Sequence, residues 1–249
     1  MDLKLKGKTA LVTGGSEGIG KGIAIALAKE GVDVAICARR KEPLEAAAAE
    51  IAKATGRKIV PIAADLRQDK DAKNFIEQGA KALGRIDIMV NNAGSAAGGV
   101  IEHLTEDDWE KGLQLKFMGY VRCLRYVLPV MRAQGQGRVV NLIGNDGVKP
   151  SYWEICPGAA NAAGQSLTLS LAGQYGRDGI SFVEVNPSPT ARRPIVSASC
   201  GFLIPPPTTE LMFTWKSACS ARNCSFLSST FRLFLEISSG CTLSIEICR

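Results

Sequence analysis

Apolar positions along the chain alternate between short continuous runs and runs with helical spacing. Thr9 to Val12 is a short run typical of a buried strand. Ile19, Ile23 and Leu27 then recur at helical spacing, and Gly31 ends that helix. Further strands are predicted at 32–38, 58–63, 86–90, 138–142 and 180–186, and further helices at 41–54, 69–83, 106–132 and 158–175. This alternation favours an α/β fold with a doubly wound parallel sheet in a single Rossmann-like domain.

A glycine-rich turn joins the first predicted strand to the first predicted helix. Its residues are Thr13-Gly14-Gly15-Ser16-Glu17-Gly18-Ile19-Gly20. Gly14 and Gly15 permit a tight turn, and Gly18 lets the backbone approach a pyrophosphate. Gly20 allows the helix to pack close to the sheet, and the free N–H groups at the start of the helix face the anion. We therefore predict a phosphate-binding turn, and a tight turn without a ligand is the alternative.

A second motif, Asn91-Asn92-Ala93-Gly94, directly follows the apolar run 86–90. Together with the spacing Gly14-x3-Gly18-x-Gly20, it makes residues 5 to 187 resemble the short-chain dehydrogenase/reductase family, in particular its 3-oxoacyl-carrier-protein reductase branch. The resemblance implies hydride transfer between a nicotinamide cofactor and a small carbonyl or alcohol substrate. It also implies a homo-oligomer that associates through the helices near 106–132 and 158–175.

The resemblance also assigns the cofactor-binding positions. The second strand ends Cys37-Ala38-Arg39-Arg40, with Ala38 where NAD-preferring members carry Asp and Arg39 where NADP-preferring members are basic. An arginine there pairs with the 2′-phosphate, so we predict NADP(H). The pyrophosphate is assigned to Gly14, Ser16, Gly18, Ile19 and Gly20, and the 2′-phosphate to Arg39 with Arg40 beside it. The adenine is assigned to Asp65 and Leu66. The inner ribose is assigned to Asn92, Ala93 and Gly94. The alternatives are a solvated basic pair at a helix start and, for Asp65, an N-cap of the helix at 69–83.

Two local signals refine the predicted elements. Pro61 would break a central strand but is tolerable on an edge, which is where the family's sheet order places this strand. Thr105 with Asp108 resembles a capping box in which the acid is shortened, and it predicts the start of the helix at 106–132.

The four residues that typically catalyse carbonyl reduction in this family are missing. Those members use Ser and Tyr on the carbonyl oxygen, Lys to lower the pKa of the Tyr, and Asn to hold a relay water. Counting in register places Gly144 at the Ser position and Pro157 at the Tyr position. It places Asn161 at the Lys position and Lys116 at the Asn position. No shift of a few residues restores a Tyr-x-x-x-Lys pair.

A polar and aromatic loop, 145–154, should border the nicotinamide half of the cleft. We predict Tyr152 as an alternative proton donor, with Lys149 or Lys116 as its cationic neighbour and Asn145 as a further candidate. The alternative is that Tyr152 and Trp153 pack the loop against the body of the protein. For the whole chain, the alternatives to an enzyme are an NADP-binding sensor or assembly partner without turnover, and the product of a disrupted gene.

The composition of the chain changes abruptly near residue 191. The sequence becomes rich in Ser and Cys, contains Pro205-Pro206-Pro207, and lacks amphipathic periodicity. We therefore divide the chain into an NADP-binding Rossmann-like domain, 1–190, and a divergent tail, 191–249. Three explanations remain open for the tail: an altered reading frame, a divergent substrate lid or a disordered extension. Residues 240–247 are predicted as a last strand.

Charge and composition exclude several classes of partner. The formal net charge of +6 is modest and the basic residues are scattered, which argues against nucleic acid. No signal-like segment opens the chain and no run of about 18 apolar residues occurs. We expect a cytoplasmic protein that does not bind a membrane.

Eight cysteines and one histidine give no metal-binding pattern. Cys37, Cys123 and Cys156 lie in predicted packed elements and are expected to be ordinary core thiols. The other five lie in the last fifty residues without a C-x-x-C pair, and His103 is the only histidine. We therefore predict no metal site.

Overall fold

The computed structural model describes residues 3–187 and, as strands, residues 214–217, 230–237 and 241–248. The strands are β1 Thr9–Thr13, β2 Asp33–Ala38, β3 Ile59–Ala63, β4 Ile88–Asn91, β5 Gly137–Leu142, β6 Ile180–Asn186, β7 Thr214–Ser217, β8 Thr230–Ile237 and β9 Cys241–Cys248. The α-helices of the described residues are α1 Gly18–Lys29, α2 Lys41–Thr55, α3 Asp69–Leu83, α4 Glu106–Lys116, α5 Met118–Gln134 and α6 Ile155–Tyr175.

Strands β1 to β6 form a parallel sheet in the order β3-β2-β1-β4-β5-β6, and β7 adds antiparallel to β6. The chain order reverses between β1 and β4, which is the point where open α/β sheets bind ligands. The predicted doubly wound parallel sheet in a single α/β domain is confirmed. Strand β3 lies at the edge of the sheet and Pro61 is exposed, so the predicted placement of this proline is also confirmed.

Both faces of the sheet are covered, because successive residues of each strand point to opposite sides. On β1, Leu11 belongs to one apolar cluster, in which α3 and α5 contribute Phe75 and Val127. Ala10 and Val12 belong to a second cluster, made with α1 and α2. Parallel strands covered on both faces in this way read as nearly continuous apolar runs.

The three cysteines predicted as core thiols, Cys37, Cys123 and Cys156, are free and buried, which confirms that prediction. Burial raises the pKa of the Cys37 thiol to about 12, although a hydrogen bond from the Gly14 backbone opposes the shift. These thiols therefore stay protonated and inert at neutral pH.

The single helix predicted over 106–132 is wrong, because the chain forms α4 and α5 with a break at Phe117 (φ −100°, ψ −59°). Arg122 donates to the carbonyl oxygens of Gln114 (3.0 Å) and Leu66 (3.1 Å), so a guanidinium group satisfies a carbonyl at the break. The predicted capping box is confirmed: the Thr105 hydroxyl accepts from the Asp108 N–H, and the Asp108 carboxylate accepts from the Thr105 N–H.

The predicted last strand forms as β9, but it pairs antiparallel with β8 instead of extending the parallel sheet. Most of the predicted tail lies outside the described residues, and the boundary at residue 190 stays a prediction. No helix in the described part of the chain is long and apolar enough to span a membrane.

Candidate functional site

Protein atoms pack closely around most of the glycine turn between β1 and α1, but the space beside Gly18 is open. A Cβ added at Gly15 would lie 2.6 Å from the Ile36 side chain, and one added at Gly20 would lie 2.1 Å from the Gly14 carbonyl oxygen. Gly18 has a φ of 59° and no atom within 4 Å of its added Cβ. The left-handed conformation favours glycine there, and the open space leaves room for a ligand against the backbone.

The N-terminus of α1 has the properties of an anion site. Glu17 occupies the N-cap position with an extended backbone, and no side chain of the described residues caps the helix. The carboxylate of Glu17 instead pairs with Arg40 at 3.1 Å, on the surface. The first N–H groups of α1 therefore keep no side-chain acceptor, and the helix dipole favours a negative charge beside them. These residues fit the pyrophosphate of a dinucleotide.

The second motif is tied to the glycine turn through Thr13. The Thr13 hydroxyl accepts from the N–H groups of Asn92 (2.8 Å) and Ala93 (2.9 Å). The Asn92 side-chain amide donates to the Thr13 carbonyl oxygen at 2.8 Å. Asn92 thus supports the turn, while Gly94 is exposed.

Two arginines follow β2, and they differ in whether they form an ion pair with a described residue. Arg40 is engaged with Glu17, whereas Arg39 is exposed and forms no ion pair with any described residue. Arg39 also helps, as the smallest of several causes, to lower the pKa of Asp65. A free guanidinium group at this position is suited to a phosphate.

Asp65 is bound by Arg67 in a bidentate ion pair, with Nη2 at 2.5 Å and Nε at 3.0 and 3.1 Å. The hydrogen bond from Arg67 is the main cause that holds the pKa of Asp65 below its usual value. Helix α3 begins at Asp69 after Gln68, so the alternative that made Asp65 its N-cap is wrong. The side chain of Leu66 is buried in the core, at 3% exposure.

Three of the four catalytic positions, Gly144, Asn161 and Lys116, lie beside the carboxyl ends of β4 and β5, but with different chemistry. The Asn161 amide, on α6, donates to both carboxylate oxygens of Asp146 at 2.9 Å. A Cβ added at Gly144 would lie 2.3 Å from the Asn161 Nδ2 and 2.3 Å from the Asp146 Oδ1. The Asp146–Asn161 pair therefore occupies the space that a serine side chain at residue 144 would need. The sequence did not single out Asp146, since no motif marks it.

Lys116 is the last residue of α4, and its side chain runs against Gly94. A Cβ added at Gly94 would lie 3.3 Å from the Lys116 Nζ and 3.2 Å from its Cγ and Cδ. Burial of the side chain lowers the pKa of the Lys116 ammonium group, while the negative charge of Asp146 opposes this shift. The lysine thus lies against the second motif, and the charge of Asp146 acts on it.

Tyr152 lies on the rim of the site, 72% exposed, beside the 55% exposed ring of Trp153. The alternative in which these two rings pack the loop against the body is therefore wrong. The loop is held instead by the backbone, since the Gly99 N–H donates to the Trp153 carbonyl oxygen at 2.7 Å. Among the described residues no hydrogen bond joins Tyr152 to Lys149 or Lys116, so its role as proton donor stays a prediction.

Asn145 and Lys149 belong to a turn. The Asn145 carbonyl oxygen accepts from the N–H groups of Val148 (3.0 Å) and Lys149 (2.8 Å). The side chain of Lys149 is exposed, and Asn145 is half-buried. Within residues 3–187, no group of histidine, cysteine and carboxylate side chains is arranged to hold a metal ion.

Comparison with known proteins places this geometry among nicotinamide enzymes. The family model described as short chain dehydrogenase matches residues 8–197. The 3-oxoacyl-acyl-carrier-protein reductase of Staphylococcus epidermidis is 33% identical over 181 residues, which cover 72% of this chain and 74% of that protein.

Two solved structures share the fold. The L-sorbose reductase of Gluconobacter frateurii, complexed with NADPH and L-sorbose, has a TM-score of 0.71 and 31% identity, over 73% of this chain and 69% of that chain. A xylitol dehydrogenase bound to NAD⁺ has a TM-score of 0.72 and 28% identity, over 75% of this chain and 73% of that chain. Similar folds therefore accept either form of the cofactor.

Proposed function

Because this chain belongs to the short-chain dehydrogenase family, we propose that it is an NADP(H)-dependent oxidoreductase acting on a carbonyl or alcohol substrate. The bound cofactor supplies or accepts the hydride. The residues of the chain orient it: Gly18 and the start of α1 face the pyrophosphate, and Ala93 with Gly94 borders the inner ribose. The similarity to the 3-oxoacyl-acyl-carrier-protein reductase supports a 3-oxoacyl group as the substrate.

The observation that carries the choice of NADP(H) is the free guanidinium group of Arg39. It stands at the end of β2, where an acidic residue would instead accept a hydrogen bond from the free ribose hydroxyl of NAD. Its neighbour Arg40 is already neutralised by Glu17. Arg39 is therefore the residue we assign to the 2′-phosphate, and Asp65 with Leu66 borders the adenine.

Calorimetric titration with NADPH and, separately, NADH tests this proposal. A charge-assisted hydrogen bond is worth about 1.5–3 kcal/mol, so Arg39→Ala should weaken NADPH binding roughly 10- to 150-fold and leave NADH binding unchanged. Lys41→Ala, which removes a neighbouring exposed charge, is the matched control. Equal affinities of the wild-type protein for both cofactors would contradict the choice of NADP(H).

A second candidate function is NADP(H) binding without turnover, in a sensor or an assembly partner. The observation that favours it is the Asp146–Asn161 pair, which fills the place of the catalytic serine. Tight NADPH binding without oxidation of the cofactor, across a panel of 3-oxoacyl thioesters, ketoses and aldehydes, would support this candidate over the first.

The location of the protein, the size of its substrate and its self-association complete the proposed function. A cytoplasmic location, a small-molecule substrate and self-association through α4, α5 and α6 stay predictions. On α6, Leu169 is 44% exposed and offers apolar surface to such a contact. Light scattering of the purified protein measures the assembly directly.

A further inference from the structure

Resting on the proposed oxidoreductase activity, we propose that Lys116 is the proton donor and acceptor of this enzyme, and that Asp146, held by Asn161, is its positioning residue. This arrangement takes the place of the tyrosine and lysine that the chain lacks at Pro157 and Asn161. It assigns the proton transfer to α4 instead of to α6.

The first support is the location of the Lys116 ammonium group. Nζ lies against Gly94, which follows β4 at the carboxyl edge of the sheet, where the reacting groups of doubly wound folds meet. A Cβ at residue 94 would press on the lysine side chain, so glycine at this position permits the close approach. Because α4 ends at Lys116, the side chain leaves the last turn of the helix beside Gly94.

The second support is that the ammonium group is available for chemistry. Lys116 forms no hydrogen bond or ion pair with any residue of the described range, so its N–H groups are free to reach a substrate oxygen. Its partial burial lowers its pKa, and a general acid works best when its pKa lies near the operating pH.

Within the described part of the chain, the counter-charge that acts on Lys116 is that of Asp146. Asp146 lies on the turn before α6, and its carboxylate favours the protonated lysine. Arg122 on α5 is occupied by Gln114, Lys111 on α4 by Asp107, and Asp108 on α4 by Thr105. The buried Cys156 on α6 is a neutral thiol, whose pKa burial raises.

Asn161 fixes the carboxylate whose charge acts on the lysine. Its amide donates to both oxygens of Asp146, so the carboxylate has a defined orientation without a positive partner in contact. Asp146 thus acts through its charge and its position. Its charge favours the protonated form of Lys116, which burial disfavours, and Gly144 leaves the space in which the Asp146–Asn161 pair sits.

Lys116 protonates the carbonyl oxygen of the substrate in the step in which the carbonyl carbon is reduced. As the carbonyl carbon accepts hydride from the reduced nicotinamide, the electron pair of the C=O π bond moves onto oxygen, and this oxygen takes a proton from Nζ of Lys116. One N–H bond breaks, one O–H bond forms, and the neutral amine regains a proton from water. Alcohol oxidation runs through the same step in reverse.

The test compares Lys116→Met and Lys116→Arg with Lys111→Met, which removes an exposed lysine from the same helix. NADPH affinity is measured by calorimetry, and turnover is measured with NADPH and an acetoacetyl thioester. Both Lys116 variants should keep their NADPH affinity within about threefold and lose roughly 10²- to 10⁴-fold in turnover, since an arginine does not release its proton. Lys111→Met should turn over like the wild-type protein.

Two further readouts separate a chemical role from a structural one. The pH above which turnover by the wild-type protein falls should shift downwards in Asp146→Asn, because the carboxylate no longer favours the ammonium form. The NMR titration of ¹³Cε-labelled lysines should show one resonance with a midpoint below the ordinary lysine value, absent from Lys116→Met.

The outcomes are distinguishable. Wild-type turnover retained in Lys116→Met, or a Lys116 resonance with an ordinary midpoint, overturns the assignment and leaves the proposed function in place. A wild-type protein that binds NADPH but turns over no carbonyl overturns the proposed function and the assignment together.

Discussion

The candidate site has two halves of different construction. The cofactor half, residues 13–20 and 92–94 with Arg39, is the part that we assign to the cofactor, and it offers chiefly backbone N–H groups and glycines without side chains at Gly18 and Gly94. The substrate half, Lys116 with residues 144–161, depends on the identity of single side chains. Both halves lie at the carboxyl edge of one parallel sheet. The cofactor half keeps the glycine spacing and the Asn-Asn-Ala-Gly motif of the family, whereas the substrate half lacks all four of its typical catalytic residues.

This difference has a physical cause. A change in the glycine turn disturbs packing between β1, α1 and β2, because added atoms meet backbone at Gly14 or the side chain of Ile36. Pro157 and Asn161 lie on α6, outside the sheet. Folding therefore constrains the cofactor half more strongly than the substrate half.

The largest expected effect comes from filling the cofactor half. Gly20→Val should abolish measurable NADPH binding and lower the free energy of unfolding by about 1–3 kcal/mol, because its Cβ would lie 2.1 Å from the Gly14 carbonyl oxygen. Calorimetry and urea unfolding measure the two effects. Gly173→Ala, in α6 with no atom within 4 Å, should bind NADPH normally and be stabilised by up to about 1 kcal/mol.

The next effect concerns the substrate half. Gly144→Ser alone should destabilise the protein by about 1–3 kcal/mol, without gain of activity, because the Asp146–Asn161 pair occupies the space. Removing that carboxylate in Gly144→Ser/Asp146→Gly should recover part of the loss, and a double-mutant cycle by urea unfolding measures the coupling. Additive effects of the two changes would contradict the steric explanation.

A smaller effect is expected from the Asp65–Arg67 pair beside the adenine position. The pKa of Asp65 is lowered in the folded protein, mainly by Arg67, so its contribution to stability is present above the unfolded pKa and is lost as the pH falls through the folded pKa. Arg67→Ala should therefore lose less stability than the wild-type protein on acidification through this range. At neutral pH the difference should be at most about 1 kcal/mol, since the pair is partly exposed.

The smallest effect is expected at the rim. Tyr152→Phe should leave turnover with NADPH within about threefold of the wild-type rate, because Lys116 supplies the proton and Tyr152 is 72% exposed. A loss of 10²-fold or more in steady-state turnover would return the proton transfer to Tyr152.

The parts of the structure that follow local rules were predictable from the sequence. Pro61 marked the edge strand, Thr105 and Asp108 marked the start of α4, and the glycine spacing marked the turn after β1. Each of these signals acts within a few residues, through a missing N–H group, a side-chain cap or a missing Cβ.

The parts that were not predictable depend on contacts between distant elements. No glycine or proline marks the break at Phe117, where Arg122 binds the carbonyl oxygen of Gln114. The pairing of Asp146 with Asn161 joins a turn to the helix that follows it, and counting in register identifies the position of Asn161 but not its partner. The burial of Lys116 likewise depends on how α4 packs against the residues around Gly94.

The contacts of Thr13 have a consequence for synthesis of the protein on the ribosome. The Thr13 hydroxyl accepts from Asn92, 79 positions further along the chain. At about 5–20 residues per second, the glycine turn is translated roughly 4 to 16 seconds before its partner exists. The nascent chain therefore carries an unfinished turn during this interval, and Thr13 gains its contacts with Asn92 and Ala93 only after β4 has emerged and paired with β1.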